Sequence, residues 1–217
     1  MASTSLSTRI LKGGIVLIDP RTSAVRRVVP LQYNPDTLSR TLQPQGVGAD
    51  GGDRSEALRL KGPPVETLKL EAEIDATDLM ERGDPDVARF GIFPQLAALE
   101  ILVYPTSDQL LETDRQARAG VLEVAPMEAP LTLFVWSKLR VLPVRLTEFS
   151  VTEEAFDADL NPIRAKVSLG MRVLSVTDLG FGHKGGGLFM IYQQQKERMA
   201  ATGSVGGFGA LGIGGIP

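Results

Sequence analysis

The residues from Ile163 to Val173 alternate without a break. Ile163, Ala165, Val167, Leu169, Met171 and Val173 are apolar, and Arg164, Lys166, Ser168 and Arg172 fall between them. A period of two puts these sets on opposite faces of an extended strand, one buried and one wet. Eleven residues at about 3.3 Å each make a strand of roughly 36 Å, long for a globular protein. The turn signal from Asp157 to Pro162 joins it to a preceding run, so Val144 to Val176 reads as one long hairpin with a cationic outer face. Such reach suits a structural or assembly module better than a catalytic pocket.

The preceding run carries its own irregularity. Leu142, Val144 and Leu146 are apolar at even positions, then Phe149 and Val151 at odd ones. A slip of one residue predicts a β-bulge, here near Glu148.

The rest of the chain is organised around further strands. Gly14 to Asp19 reads as a buried strand, and Arg27 to Tyr33 as its partner, with Pro30 marking an edge or bulge. Asn34 and Pro35 turn the chain into a strand at Thr37 to Leu42. Residues 44–56 hold four glycines and read as a long flexible loop. Val65 to Asp75 alternates again, with Leu68, Leu70, Ala72 and Ile74 inward and Lys69, Glu71 and Glu73 outward. The acidic run Asp75, Asp78, Glu81, Asp84 and Asp86 reads as a solvated loop. Pro94 to Tyr104 reads as a helix, with Pro94 in its first turn and Leu96, Leu99, Leu102 and Val103 as its core stripe. A short helix is expected around Gln109 to Arg118. Strands resume at Leu131 to Trp136 and Arg140 to Val151, and a C-terminal helix at Leu188 to about Ala200. The last 15 residues include seven glycines and read as a flexible tail.

Strands and helices are segregated, which predicts an α+β, mostly β fold: a β-barrel or two packed antiparallel sheets with one packed helix. Residues 1–12 read as a leader, 13–178 as the β domain, 179–202 as a connector with the C-terminal helix, and 203–217 as the tail.

Composition closes off several functions. A net charge of −3 argues against nucleic-acid binding, which usually brings a basic excess. No apolar run approaches the roughly 18 residues that span a bilayer, and the N-terminus lacks the order of a signal peptide. With no cysteine there is no disulfide or thiol chemistry, and a cytoplasmic origin is expected.

The chemical motifs fail on inspection. Gly180 to Gly185 matches G-x-G-x-x-G, but no second parallel strand or acidic ribose partner follows, so a flexible connector is expected rather than a nucleotide loop. Asp157 to Asn161 starts like a calcium loop, yet the sixth position is Pro162 and the twelfth is Ser168. A hairpin turn capped by its own Asp and Asn is expected. His183 is the only histidine and reads as a solvated loop residue. Phe134 and Trp136 share a strand face and read as core anchors. No catalytic, cofactor-binding or metal-binding residue is expected, and the chain does not read as an enzyme.

Two sequence marks gain meaning together. Tyr33-Asn34-Pro35 follows the first hairpin, and Asn161-Pro162-Ile163-Arg164-Ala165 joins the long pair, with Phe134-Val135-Trp136 between them. This arrangement resembles the tube-like domain of contractile injection system proteins, over about Gly14 to Val176. In that family a Phe/Tyr-Asn-Pro motif precedes a strand and a variable loop, and an aromatic-x-Trp strand precedes a long hairpin with a Pro-x-Arg-Ala tip. Two features differ: Leu160-Asn161 replaces the usual Asp-Gly tip, and no LysM module follows Ala200.

The resemblance implies a subunit of a phage-tail-like particle, assembled in the cytoplasm as a homo-hexameric ring. Its expected neighbours are tube, spike-hub and baseplate proteins, with no membrane insertion. The terminal extensions favour a baseplate adaptor or tube initiator; a bulk inner-tube subunit or a ligand-binding β-barrel are the alternatives. Arg164, Lys166, Ser168 and Arg172 would then line a lumen or a ring-to-ring surface.

Overall fold

The computed structural model describes residues 10–46, 59–120, 129–203 and 206–216, and only the backbone of Asp78. Seven strands form one antiparallel sheet: β1 (Gly14–Ile18), β2 (Val25–Pro30), β3 (Leu38–Gln43), β4 (Val65–Asp75), β5 (Leu131–Ser137), β6 (Arg140–Phe156) and β7 (Pro162–Val173). Their order is β2-β1-β5-β6-β7-β4-β3. The fold is α+β and mostly β. It is neither a closed barrel nor two packed sheets: a single sheet curls until its two ends share one core. Ile15 and Val29 near one end belong to the same buried cluster as Leu68, Leu70 and Ile74 near the other.

The curl stops short of closure. Among the described residues no ladder joins β2 to β3 or β4. The Gln32 side chain spans the gap instead, donating from Nε2 to the Asp75 carbonyl at 2.6 Å and accepting from the Asp75 N–H at 3.1 Å. One side-chain amide therefore stands in for a rung of backbone ladder, and it satisfies two main-chain groups at a strand end.

β7 is the spine of the sheet. It pairs with β4 from Arg164 to Arg172 and with β6 from Pro162 to Val173. Its apolar face is sealed, with Ala165, Val167 and Met171 fully buried and Leu169 at 2% exposure. The valine, leucine and methionine among them contribute about 1.5–3 kcal/mol each on burial. The bulge in β6 lies where the apolar phase changes: Leu146 faces Met171, and Glu148 faces Gly170. A Cβ added at Gly170 would stand 2.7 Å from the Glu148 Cβ, so the bulged strand needs glycine opposite it.

Six α-helices and one 3-10 turn complete the described fold; the 3-10 turn, Phe208–Leu211, lies within the segment expected to be a flexible tail. Two of the helices lie where the sequence suggested a solvated loop: α1 (Thr77–Glu81) and α2 (Pro85–Phe90). The reason is local. Asp84 caps α2 by accepting from the N–H groups of Asp86 and Val87, and Pro85 occupies its first turn. Helix α3 (Phe93–Glu100) buries Leu96 and Leu99 and ends before Tyr104, because Ile101 to Tyr104 continue as turns. Helix α4 (Ser107–Arg118) starts at a Thr106–Gln109 capping box. A short α5 (Val176–Leu179) leads into α6 (Lys184–Thr202), which puts Phe189 and Tyr192 into the core. The leader and the 44–56 loop fall largely outside the described residues; the isolated bridge between Gly46 and Leu60 closes the base of that loop.

Candidate assembly site

The sequence motifs surround the unclosed seam. Asn34 pins the segment before β1: its Oδ1 accepts from the Gly13 N–H at 2.8 Å, and its Nδ2 donates to the Leu11 carbonyl at 2.8 Å. Gly13 sits against the Trp136 ring, where an added Cβ would come within 2.9 Å of Cε3. Trp136 stacks on Phe134 with centroids 5.9 Å apart. Phe134 is a core anchor at 1% exposure, and Trp136 is half-buried and packs against the same core. Tyr33 projects outward at 43% exposure, and Pro35 is half-buried. Asn34 and the aromatic pair are thus joined through Gly13.

Asp75 ties in the third motif. Its backbone takes the Gln32 amide, and its carboxylate accepts from Arg164 Nε at 2.7 Å. The Thr77 hydroxyl does most to hold the Asp75 carboxyl below the usual carboxylate range; burial opposes it, and the Thr77 N–H and Arg164 add to the lowering. Arg164 is raised in turn by Asp75. Gln32 and Gly13 were not assigned a role from the sequence, and Asp75 was read only as a strand end and part of a solvated acidic run. The signals were slight: Gln32 adjoins the Tyr-Asn-Pro motif, and Asp75 closes an alternating strand.

The hairpin tip is docked rather than free. Asp157 Oδ1 accepts from the N–H groups of Asp159 and Asn161, both at 2.8 Å, and Asn161 Nδ2 donates to Asp157 Oδ2 at 2.8 Å. The Asn161 side chain, with these N–H groups, lowers the Asp157 pKa. Leu160 takes a left-handed φ of 64°. Pro162 is buried, and its carbonyl accepts from the Ile92 N–H at 2.8 Å. Gly91, at φ 58°, would bring a Cβ to 2.1 Å from that carbonyl. Asp157 therefore serves as a turn cap, consistent with the failed calcium pattern.

The outer face of β7 is not a cationic surface. Its cations are answered by neighbouring carboxylates: Arg164 by Asp75, Lys166 by Glu154 at 3.0 Å, and Arg172 by Asp178 at 2.7 Å. Glu71 and Glu73 of β4 face Ser168 and Lys166 across the ladder. Sequence read one strand at a time misses this, since the balancing charges come from its neighbours. Ala165 faces the core instead, fully buried.

Strand edges make up the rest of the site. β5 covers β6 only up to Val144, so among the described residues β6 has no strand on that side from Arg145 to Phe156. β2 and β3 are the terminal strands and carry the other edges. Such rows of unpaired N–H and C=O groups invite pairing with another chain.

The glycine-rich stretch at 180–185 is a tight turn rather than a flexible connector. A Cβ at Gly185 would meet Leu179 Cδ1 at 2.4 Å, and one at Gly186 would meet the Gly180 carbonyl at 2.0 Å. His183 Nδ1 accepts from the Gly185 N–H at 3.1 Å and caps α6, so the helix start is occupied by its own side chain. Further along α6, Tyr192 donates to Glu66 Oε1 at 3.1 Å, while Arg40 and Lys196 stand 3.7 Å from that buried carboxylate. This lock fastens α6 to β4. Among the described residues no cluster of three or more His, Cys, Asp or Glu could hold a metal, and no helix is long and apolar enough to cross a membrane.

No protein-family model matches the chain, and no curated protein matches it. Among solved structures it is similar to a chain in the tail of an empty gene transfer agent particle with C6 symmetry. That chain is 12% identical with a TM-score of 0.29, over 75% of this chain and 90% of the other. A chain in the virion of a native gene transfer agent particle is 10% identical with a TM-score of 0.28, over 74% and 90%. Chain paths at these scores diverge too far to carry an assignment.

Proposed function

We propose that the protein is a structural subunit of a phage-tail-like particle that assembles into a homo-hexameric ring. The observation that carries this reading is the bare edge of β6 from Arg145 to Phe156, set apart from the different bare edges of β2 and β3. Two unlike edges on one subunit make a heterologous contact, and heterologous contacts close into rings when the rotation permits. The seam supports the same reading. Gln32 and Asp75 tie the two ends of the sheet together, with Asn34, Gly13 and Trp136 fixing one side of the seam and Arg164 fixing Asp75 on the other, so each copy can present both edges in fixed register.

Within the particle, a baseplate adaptor or tube initiator between spike hub and inner tube is the preferred role. Helix α4 and the locked helix α6 add bulk beyond the sheet, which a layer used once tolerates better than an endlessly repeated stack. The polar face of β4, β7 and β6, with its balanced charges, suits a water-filled lumen. A bulk inner-tube subunit shares the ring and differs only in stacking.

Native mass spectrometry with negative-stain microscopy of the full chain tests the proposal. Sixfold rings are expected. Spontaneous long tubes would move the protein to the bulk-tube role, and a strictly monomeric chain holding a small molecule would overturn the ring.

A further inference from the structure

The tip of the β6–β7 hairpin carries a residue that folding alone does not explain. Leu160 sits at a left-handed φ of 64°, which crowds any side chain with a Cβ, and it is 78% exposed. Phe156, at the end of the strand that leads into the turn, is 48% exposed. Backbone strain of this kind clusters at sites that bind or switch. The turn is held from both sides, by the Asp157 cap and by the Pro162 carbonyl on the Ile92 N–H. Little order therefore remains to be lost on binding. From Glu153 to Pro162 there are four carboxylates and no cation. Lys166 answers Glu154, and Asp157 is taken up by its own turn. Glu153 and Asp159 are exposed, and among the described residues their carboxylates have no partner.

The other end of the same hairpin is a hollow of about 410 Å³, at the point where β5 stops covering β6. Leu102, Val103, Leu131, Leu146 and Leu179 give it apolar walls, and no Asp or Glu lines it. Its one strong cation is Arg145. Arg145 faces Arg172 across the β6–β7 ladder, and Asp178 answers Arg172. Like charges directly opposite are unfavourable, and among the described residues Arg145 has no counterion of its own. Hollow and tip are therefore complementary: one is apolar with an unanswered cation, the other apolar with unanswered carboxylates. We infer that the hollow of one copy receives the hairpin tip of a second copy, Leu160 entering among the apolar side chains and Asp159 meeting Arg145. Within one copy the two cannot meet. Arg145 and Phe156 stand at opposite ends of the unpaired half of β6, on the order of 30 Å apart at about 3.3 Å per residue. A contact between opposite ends of one element is heterologous, so each copy both gives a tip and takes one, as a closing ring requires. The inference rests on the proposed self-association and names one of its contacts.

Photo-crosslinking in the full chain tests it. A copy with Leu160→p-benzoylphenylalanine is mixed with an isotopically labelled copy, irradiated and mapped by mass spectrometry, with native mass measured on the same sample. The expected crosslinks join position 160 of one copy to residues 102–103, 131–132, 144–146 or 179–183 of the other. Asp159→Arg in the probe copy, or Arg145→Asp in the labelled copy, sets like charges together and should cut that yield about tenfold. The two combined exchange the charges and should restore most of it. Leu160→Gly should leave the melting temperature unchanged or raise it, because glycine accepts a φ of 64°, while the assembled fraction falls severalfold. Rings whose position 160 crosslinks elsewhere, or not at all, overturn the tip contact and leave the ring standing. A charge exchange that restores nothing, or a Leu160→Gly chain that melts lower, overturns it too. Intermolecular crosslinks at the hollow without rings support the contact and overturn the ring alone; a chain that is monomeric and uncrosslinked at every concentration overturns both.

Discussion

The two strands of the long hairpin have opposite fates. β7 is flanked on both sides and sealed on its apolar face, whereas among the described residues β6 beyond Val144 has only one neighbouring strand. Their local patterns are alike: both alternate, and both carry apolar residues toward the core. The difference is positional. A strand pairs twice when the chain supplies partners for both edges, and β5 is too short to follow β6 past its bulge. The inner strand holds the subunit together, and the outer one is the edge that the proposed ring would use.

Removing a buried side chain from β7 should be the most damaging test of this contrast. Met171→Ala deletes a fully buried side chain and is expected to lower unfolding free energy by about 2–5 kcal/mol in a denaturant titration. Val151→Ala in the bare half of β6 trims a half-buried residue and should cost less than about 1.5 kcal/mol. Equal losses would show that the outer strand is as integral to the monomer as the inner one.

The bulge joins the two halves and should rank next. Gly170→Ala places a Cβ 2.7 Å from the Glu148 Cβ and is expected to destabilise by about 1–3 kcal/mol. Adding Glu148→Gly should recover part of that loss by removing the opposing carbon. A double variant no more stable than Gly170→Ala would locate the strain elsewhere.

Asp75, at the seam, gives a smaller effect with a defined pH dependence. Its folded pKa lies below the ordinary 3.8, mainly through the Thr77 hydroxyl and then the Thr77 N–H and Arg164. A depressed carboxylate stabilises the fold above its unfolded value and loses that contribution as pH falls through the folded value. Wild type should therefore exceed Asp75→Asn in thermal stability near pH 7, and the gap should close below about pH 3.8. Because the Arg164 side chain is 46% exposed, solvent screening should keep the contribution of the pair itself small. A gap that widened on acidification would contradict the assignment.

Much of this was legible in the sequence. The period-two runs at Val65–Asp75 and Ile163–Val173 located the central strands and their inward residues, and the phase slip from Leu146 to Phe149 located the bulge. Two helices were missed at 77–90, although Asp84-Pro85 carried a cap and a first-turn proline, because acidic composition was read as solvation. The curl of one sheet into a near-barrel was not legible, since closure depends on a single side chain, Gln32, reaching Asp75 across 43 positions. The charge of the β7 outer face was misread for a related reason: ion pairs across a sheet depend on strand order, which no single strand encodes. Tyr33, Asn34, Pro35, Phe134 and Trp136 were recognisable as marks, while Gly13, which joins the last two groups, had no signal of its own.

The smallest expected change in stability carries the most information about assembly. Ser150 lies in the bare stretch of β6 and faces Ser168 across the ladder, with Glu71 beyond it on β4. Ser150→Lys introduces a charge that this neighbourhood accepts, so monomer stability should stay within about 0.5 kcal/mol of wild type. Lysine on an edge strand is also a common means of blocking pairing with another chain, because docking would strip water from its ammonium group. Native mass should show the ring population falling while the melting curve stays in place. A matching lysine at Ser168, on the doubly paired β7, sits on the same sheet face but on no free edge, and should leave rings intact. If both variants preserve the ring, the β6 edge is not the contact; if both abolish it, the outer face rather than the edge makes the interface.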